Sequence, residues 1–236
     1  MLVPDVRGDA EAQGLQLGLS DNPFEARLRF YARRATEVFA IWEGVFNEND
    51  RLVRVLGSQA ANPWVGTTIM DWEGASEHAD ALAIAPYFGG PLGSPDTQDE
   101  VAAWSVEQLL TASSTHMDEV LATAETSVSD AQDRGLVLIA YEAGQHLTAY
   151  GNAVNNDNLT ELFLAGNRDP GMGALYSDYL NGWKDAGGQL MVMFNYVDHY
   201  TKWGSWGLLE FQNQAIEAAP KYQSTMEFVN QQSQWW

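Results

Sequence analysis

Five consecutive apolar residues, Leu136 to Ala140, are bounded by Gly135 on one side and by Tyr141-Glu142-Ala143-Gly144-Gln145-His146 on the other. The run is too short for a helix and is rich enough in Val and Ile for a strand. A strand apolar on both faces is what a parallel sheet covered by helices requires. Glu142, at the carboxyl end of that strand, stands where α/β barrels carry their chemistry. The plainer alternative is a strand end at which a carboxylate simply meets water.

The rest of the chain reads as companions to this strand. Residues 1–22 carry scattered glycines (Gly8, Gly14, Gly18) and are expected as an irregular lead-in. Ser20-Asp21-Asn22-Pro23 then signals a helix start. The helix is predicted over 23–46, with Leu28, Tyr31, Ala35, Val38, Phe39 and Trp42 as one apolar stripe. Strands are predicted at 52–57, 80–85, 136–141 and 189–196. Helices are predicted at 63–76, 98–112, 115–133 and 160–165, through Leu175–Trp183 to the Gly187-Gly188 stop, and at 217–230. The order is a helix followed by strand–helix four times, an α/β chain with a parallel sheet. Four βα units over 23–236 are half of a (β/α)8 barrel, and no linker suggests a second domain.

Composition excludes several functions. With 32 acidic and 12 basic residues the net charge is −20, so no basic stripe exists to neutralise phosphates and nucleic acid is not expected as a partner. An acidic surface with only Lys184, Lys202 and Lys221 as lysines suits solubility in salt. No run of 18 apolar residues predicts a membrane span, and no signal peptide is visible at the N-terminus. The chain has no cysteine, which rules out disulfides and thiolate metal sites.

The predicted strands all end in similar material. The first ends in Ser58-Gln59 and Trp64, the second in Tyr87-Phe88, the third in Glu142, Gln145 and His146. The fourth ends in Asn195, Asp198 and His199, with Trp203 and Trp206 beyond. In a parallel sheet these ends share one face. Aromatic rings pack on the C–H faces of pyranoses, and amides and carboxylates bond their hydroxyls, so the pattern suits an oligo- or polysaccharide. The alternative is that most of the nine tryptophans pack the interior. Trp42, Trp104 and Trp183 fit that alternative better than Trp64, Trp203 and Trp206 do.

Tyr141-Glu142-Ala143-Gly144-Gln145-His146 resembles the nucleophile-bearing strand end of retaining (β/α)8 glycoside hydrolases of the clan with catalytic glutamates after strands four and seven. Ala85-Pro86-Tyr87-Phe88-Gly89 is similar to the sixth strand of that clan, whose tyrosine hydrogen-bonds the nucleophile. Asn195-Tyr196 with Trp203 and Trp206 resembles its eighth strand. The resemblance covers roughly 24–230 and implies Glu142 as nucleophile and Tyr87 as its hydrogen-bonding partner. It implies His146, Gln145, Asn195, Trp203, Trp206, Trp64 and Gln59 as substrate contacts.

One element of that pattern is missing. Retaining hydrolysis uses two carboxyl groups about 5–5.5 Å apart, and the clan's acid/base glutamate follows an asparagine ahead of the helix at 23–46. Only Asp5, Asp9, Glu11 and Asp21 lie upstream here, and Asn47-Glu48 falls after the helix. The chain resembles strands five to eight of a barrel without the first half. Its open edges need covering, either by the missing N-terminal half or by a second copy in a homodimer. A non-catalytic carbohydrate-binding or scaffold half-barrel is the competing expectation. His146 and His199, beside Glu142 and Asp198, admit a metal site. No HxH or HExxH spacing supports one, and a sugar subsite explains them equally well, so no metal or other cofactor is expected.

Overall fold

Four short strands form one all-parallel sheet in the order β1-β2-β3-β4: β1 is Val55–Gly57, β2 Ala81–Ile84, β3 Val137–Ala143 and β4 Met191–Met193. The structure, a computed structural model, describes residues 6–46 and 51–235. Val55 stands opposite Ala81 and Gly57 opposite Ala83. Across β3 and β4, Ala140 faces Met191 and Ala143 faces Met193, with a register shift between them. Helices separate successive strands in the chain, as parallel pairing requires. The predicted α/β alternation is thus present, with β1, β2 and β4 shorter than expected and β3 running two residues further, to Ala143. At β1 the reason is local. The Arg54 N–H donates to the Asp80 carboxylate, and the Asp80 and Ala81 N–H groups both donate to the Arg54 carbonyl, so side-chain bonding replaces ladder pairing there.

The chain divides into two compact units. The first comprises the described residues up to Ile84 together with Thr126–Ile139. It opens with α1 (Val6–Gln16), a helix where an irregular lead-in was expected. Gly14 is the reason. A Cβ there would lie 2.3 Å from the Ala26 carbonyl oxygen, so this glycine permits close helix contact and is not a breaker. The expectations on residues 1–5 and on Asn47-Glu48 lie outside the described residues.

The partner of α1 is α2 (Pro23–Phe46), which matches its predicted span; the Asn22 side chain accepts from the Glu25 N–H at its start. Only Ala26, Leu28 and Ala32 of α2 are buried. The stripe predicted to continue through Val38 and Trp42 is exposed, as are Ile41 and Val45. Helix α3 (Pro63–Asp71) ends earlier than predicted. A 3-10 turn over Trp72–His78 follows, with Glu73 and Gly74 at positive φ.

The second unit comprises Ala85–Glu125 and Ala140 onward. It holds α4 (Gln98–Val101), α6 (Asp157–Arg168), α7 (Pro170–Asp185), β4 and α8 (Pro220–Gln231). Two helices were expected over 98–112 and 115–133. Instead α4 is short, and α5 runs unbroken over Val106–Gln132. The Ser113 and Thr115 hydroxyls donate to the carbonyls of Leu109 and Thr111, so the Ser/Thr stretch stays helical. The true start is at Ser105, whose hydroxyl accepts from the Gln108 N–H while the Gln108 side chain accepts from the Ser105 N–H, a reciprocal cap. Phe88, Tyr176, Tyr179 and Trp183 are the largest aromatic side chains of this core. Among the described residues no helix is long and apolar enough to cross a membrane.

Candidate functional site

Four residues beyond the end of β2 the chain returns to parallel pairing at a single isolated bridge. Phe88 bridges to Gln145; its N–H donates to the Gly144 carbonyl at 3.1 Å and its carbonyl accepts from the His146 N–H at 2.6 Å. Two tyrosines of α7 hold this extension from beneath. The Tyr179 hydroxyl donates to the Pro86 carbonyl at 2.6 Å, and the Tyr176 hydroxyl accepts from the Gln145 N–H at 3.3 Å. Both rings pack on Phe88, which is fully buried.

This pairing brings Tyr87, Glu142 and His146 together. Burial, then the charge of Glu142 and a hydrogen bond to its carboxylate, push the Tyr87 phenol far above its ordinary pKa. The phenol therefore keeps its proton beside the carboxylate. The Tyr87 ring meets the His146 ring edge-on at 5.5 Å between centroids, and His146 meets Trp206 in the same way at 5.7 Å. Phe194 closes the row against Trp206 at 6.0 Å. Burial lowers the pKa of His146, with Glu142 opposing the shift, so the imidazole is biased toward its neutral form. Trp206 owes its position to Gly204, at φ +144°: a Cβ there would sit 2.0 Å from the indole.

The other expected contacts are placed differently. Gln145 has no exposed surface: its Nε2 donates to the Ser205 carbonyl at 2.8 Å and its Oε1 accepts from the Leu147 N–H at 2.7 Å. Both ends of the amide are committed within the protein, so the expected substrate contact is a scaffold residue. Trp203 is 65% exposed and lies under the Lys202 ammonium, away from the ring row. Asn195 follows Phe194 across a cis peptide bond, and its side-chain oxygen is buried with no hydrogen-bond partner. Trp64 and Gln59 belong to the first unit, where Trp64 stacks on Phe24 at 5.9 Å and Gln59 is exposed.

Sequence reasoning did not single out Phe194, Tyr176 or the Ser205 carbonyl. An aromatic at the end of the last predicted strand was the available signal for Phe194; a backbone acceptor carries none. Among the described residues no cluster of His, Asp and Glu could hold a metal ion. A cavity of about 380 Å³ behind β4, lined by Trp183, Met191, Met193, Phe228 and Trp235 among others, contains none of the expected site residues. The chain matches no protein-family model, no curated protein and no solved structure.

Proposed function

We propose that this chain is a carbohydrate-active protein of glycoside hydrolase type, with Glu142 as its nucleophile. The observation that carries the reading is the Tyr87–Glu142 pair at adjoining parallel strand ends, with His146, Trp206 and Phe194 presenting ring edges beside it. A protonated phenol donating to a carboxylate holds that carboxylate in one orientation. In the proposed reaction a Glu142 oxygen bonds to the anomeric carbon as the glycosidic C–O bond breaks. The departing oxygen takes its proton from a second carboxyl group, which in this reading the second copy brings; water then adds at the anomeric carbon, breaking the bond to Glu142 and returning its proton to that carboxyl group. Trp206 is the substrate contact the reading retains, for a pyranose face.

The reading extends to the fold, in which the four βα units are half of an eight-stranded barrel closed by a second copy. On β4 and its flanks Leu190, Val192 and Phe194 are each more than a third exposed, alternating with Met191 and Met193 behind. Tyr141 on β3 is half exposed as well. Parallel sheets are normally covered on both faces, and apolar exposure on this scale marks an interface.

One observation favours a binding module without catalysis. Besides Glu142, the groups near the Tyr87 hydroxyl are the phenols of Tyr176 and Tyr141, and the rings of His146 and Trp206 follow, a surface suited to packing on a sugar. A panel of glucose-, xylose- and mannose-based oligosaccharides, followed by calorimetry and by reducing-end release, separates the two readings. Hydrolysis abolished by Glu142→Gln with binding retained supports the enzyme. Binding without hydrolysis in the unsubstituted chain supports the module. No binding to any of the panel counts against both.

A further inference from the structure

Lys221 is the least expected residue in the fold. It lies in the first turn of α8 and has no exposed surface. Its Nζ donates to the Ser205 carbonyl at 2.5 Å and to the Asn167 side-chain oxygen at 2.8 Å. Its third direction faces the Tyr200 ring, 4.4 Å from the centroid. No carboxylate is hydrogen-bonded to it. Asp198 and Glu210 are the nearby negative charges, and Arg168, which pairs with Glu210, is the other cation near Tyr200. Burying a lysine this completely is costly unless each donor is matched.

The partners indicate what the cost achieves. Asn167 lies on α6, fully buried, with its amide held by the Phe163 carbonyl, so it is a fixed post. The Ser205 carbonyl accepts two bonds, one from Lys221 and one from Gln145 at the end of β3. Residue 206 is the next in the chain, and its indole is the ring against His146. Tyr200, beneath the ammonium, is tied back through its hydroxyl to the Gly207 carbonyl. The 200–207 segment thus meets the Lys221 Nζ twice, at the Tyr200 ring and at the Ser205 carbonyl.

We infer that Lys221 is a positioning residue for the candidate sugar site: by fixing the Ser205 carbonyl between α6, α8 and the Gln145 amide, it sets the pose of Trp206 against His146. The sugar-binding consequence rests on the function proposed above; the pose itself does not. Burial also lowers the pKa of Lys221 strongly, against the opposing pull of Asp198 and Glu210. A neutral amine still offers two donors, one for each oxygen. The role therefore depends on donors more than on charge.

The test compares Lys221→Met with Lys221→Gln, two side chains of equal reach, each one atom shorter than lysine, of which only the second keeps two donors. Amide hydrogen exchange is read at Leu208 and Leu209, whose N–H groups donate to the Asn195 and Tyr196 carbonyls. Lys221→Met should speed their exchange at least about tenfold while the middle of α7 stays protected, and Lys221→Gln should restore most of the protection. Equal losses in both variants, or none in Lys221→Met, overturn the inference. Should the Met variant fail to fold, native-state exchange of the unsubstituted chain decides. Leu208 and Leu209 must then open together with α8, and independent opening overturns the inference. Oligosaccharide affinity is measured alongside. If the unsubstituted chain binds no sugar, the functional reading fails while the exchange result still stands or falls by itself.

Discussion

Phe88 and Gln145 pair backbone to backbone in parallel, four residues past the end of β2 and two past the end of β3, and that pairing sets the Tyr87 phenol near the charge of Glu142. The chemistry at this corner depends on a register fixed by α7, since Tyr176 and Tyr179 hold the two strand ends from below.

Removing the carboxylate should therefore be visible at the phenol. In Glu142→Gln the Tyr87 proton loses the negative charge that helps retain it, so Tyr87 should ionise at lower pH than in the unsubstituted chain. Burial continues to hold it above an ordinary tyrosine. Ultraviolet difference titration, with Tyr87→Phe subtracted, reads the shift; an unchanged phenol would separate Tyr87 from Glu142.

Gly204→Ala should disturb the site more than its size suggests. The new methyl would overlap the Trp206 ring at a positive φ that only glycine adopts easily. A cost of about 1–3 kcal/mol in urea unfolding is expected, together with a changed tryptophan emission spectrum.

Acid should loosen the loop after β2 at a histidine. The Gly89 N–H donates to His116 Nδ1 at 2.9 Å, a bond only the neutral ring can accept, and burial lowers the His116 pKa. This stability is fully present above the unfolded histidine value of about 6.5 and is lost as pH falls through the lower folded value. A melting-temperature series from pH 7.5 to 5 should show a decline that His116→Gln flattens.

A second acid-sensitive tie sits at the start of the sheet. Arg54 meets Asp80 through Nη2 at 2.6 Å and Nε at 2.9 Å, and reaches Glu43 at 2.8 Å. The hydrogen bonds from Arg54 hold the Asp80 carboxyl below its usual range. Its stabilisation is present above the unfolded aspartate value of about 3.9 and is lost as pH falls through the folded one. Because the Asp80 side chain is 38% exposed, solvent screening limits the effect. Asp80→Asn should cost about 1 kcal/mol at neutral pH, measured by urea unfolding, and much less at pH 3.

Barrel closure by a second copy predicts twice the 26.1 kDa of one chain in light scattering. Each copy carries −20, so association should strengthen as salt screens the repulsion. A monomer at every salt concentration removes the dimer.

The parts legible in the sequence were those where local signals and tertiary demands agree. Strand β3 is an uninterrupted apolar run, and α2 begins at a capping asparagine followed by proline, so both were found. Helix α1 was missed because Gly14 reads as a breaker until its contact with Ala26 is known. The unbroken run of α5 through Ser113 and Thr115 was not legible, because the hydroxyls' bonds to the preceding turn carry no spacing pattern. At the site, Glu142, Tyr87, His146 and Trp206 were legible as polar and aromatic residues at strand ends. That the Gln145 amide bonds the backbone at both ends was not legible, because an amide for a ligand and an amide for the backbone look alike in sequence. Lys221 was invisible, since a lone lysine reads as surface.

The exposed apolar side chains along β4 belong to a chain of net charge −20, so at neutral pH charge repulsion opposes contact between copies through that face. Near pH 4.3, the isoelectric point of the sequence, that net charge vanishes while Leu190, Val192 and Phe194 remain uncovered. Purification by acid precipitation or low-pH elution would therefore favour disordered clumping, and the safe handling range lies well to the alkaline side.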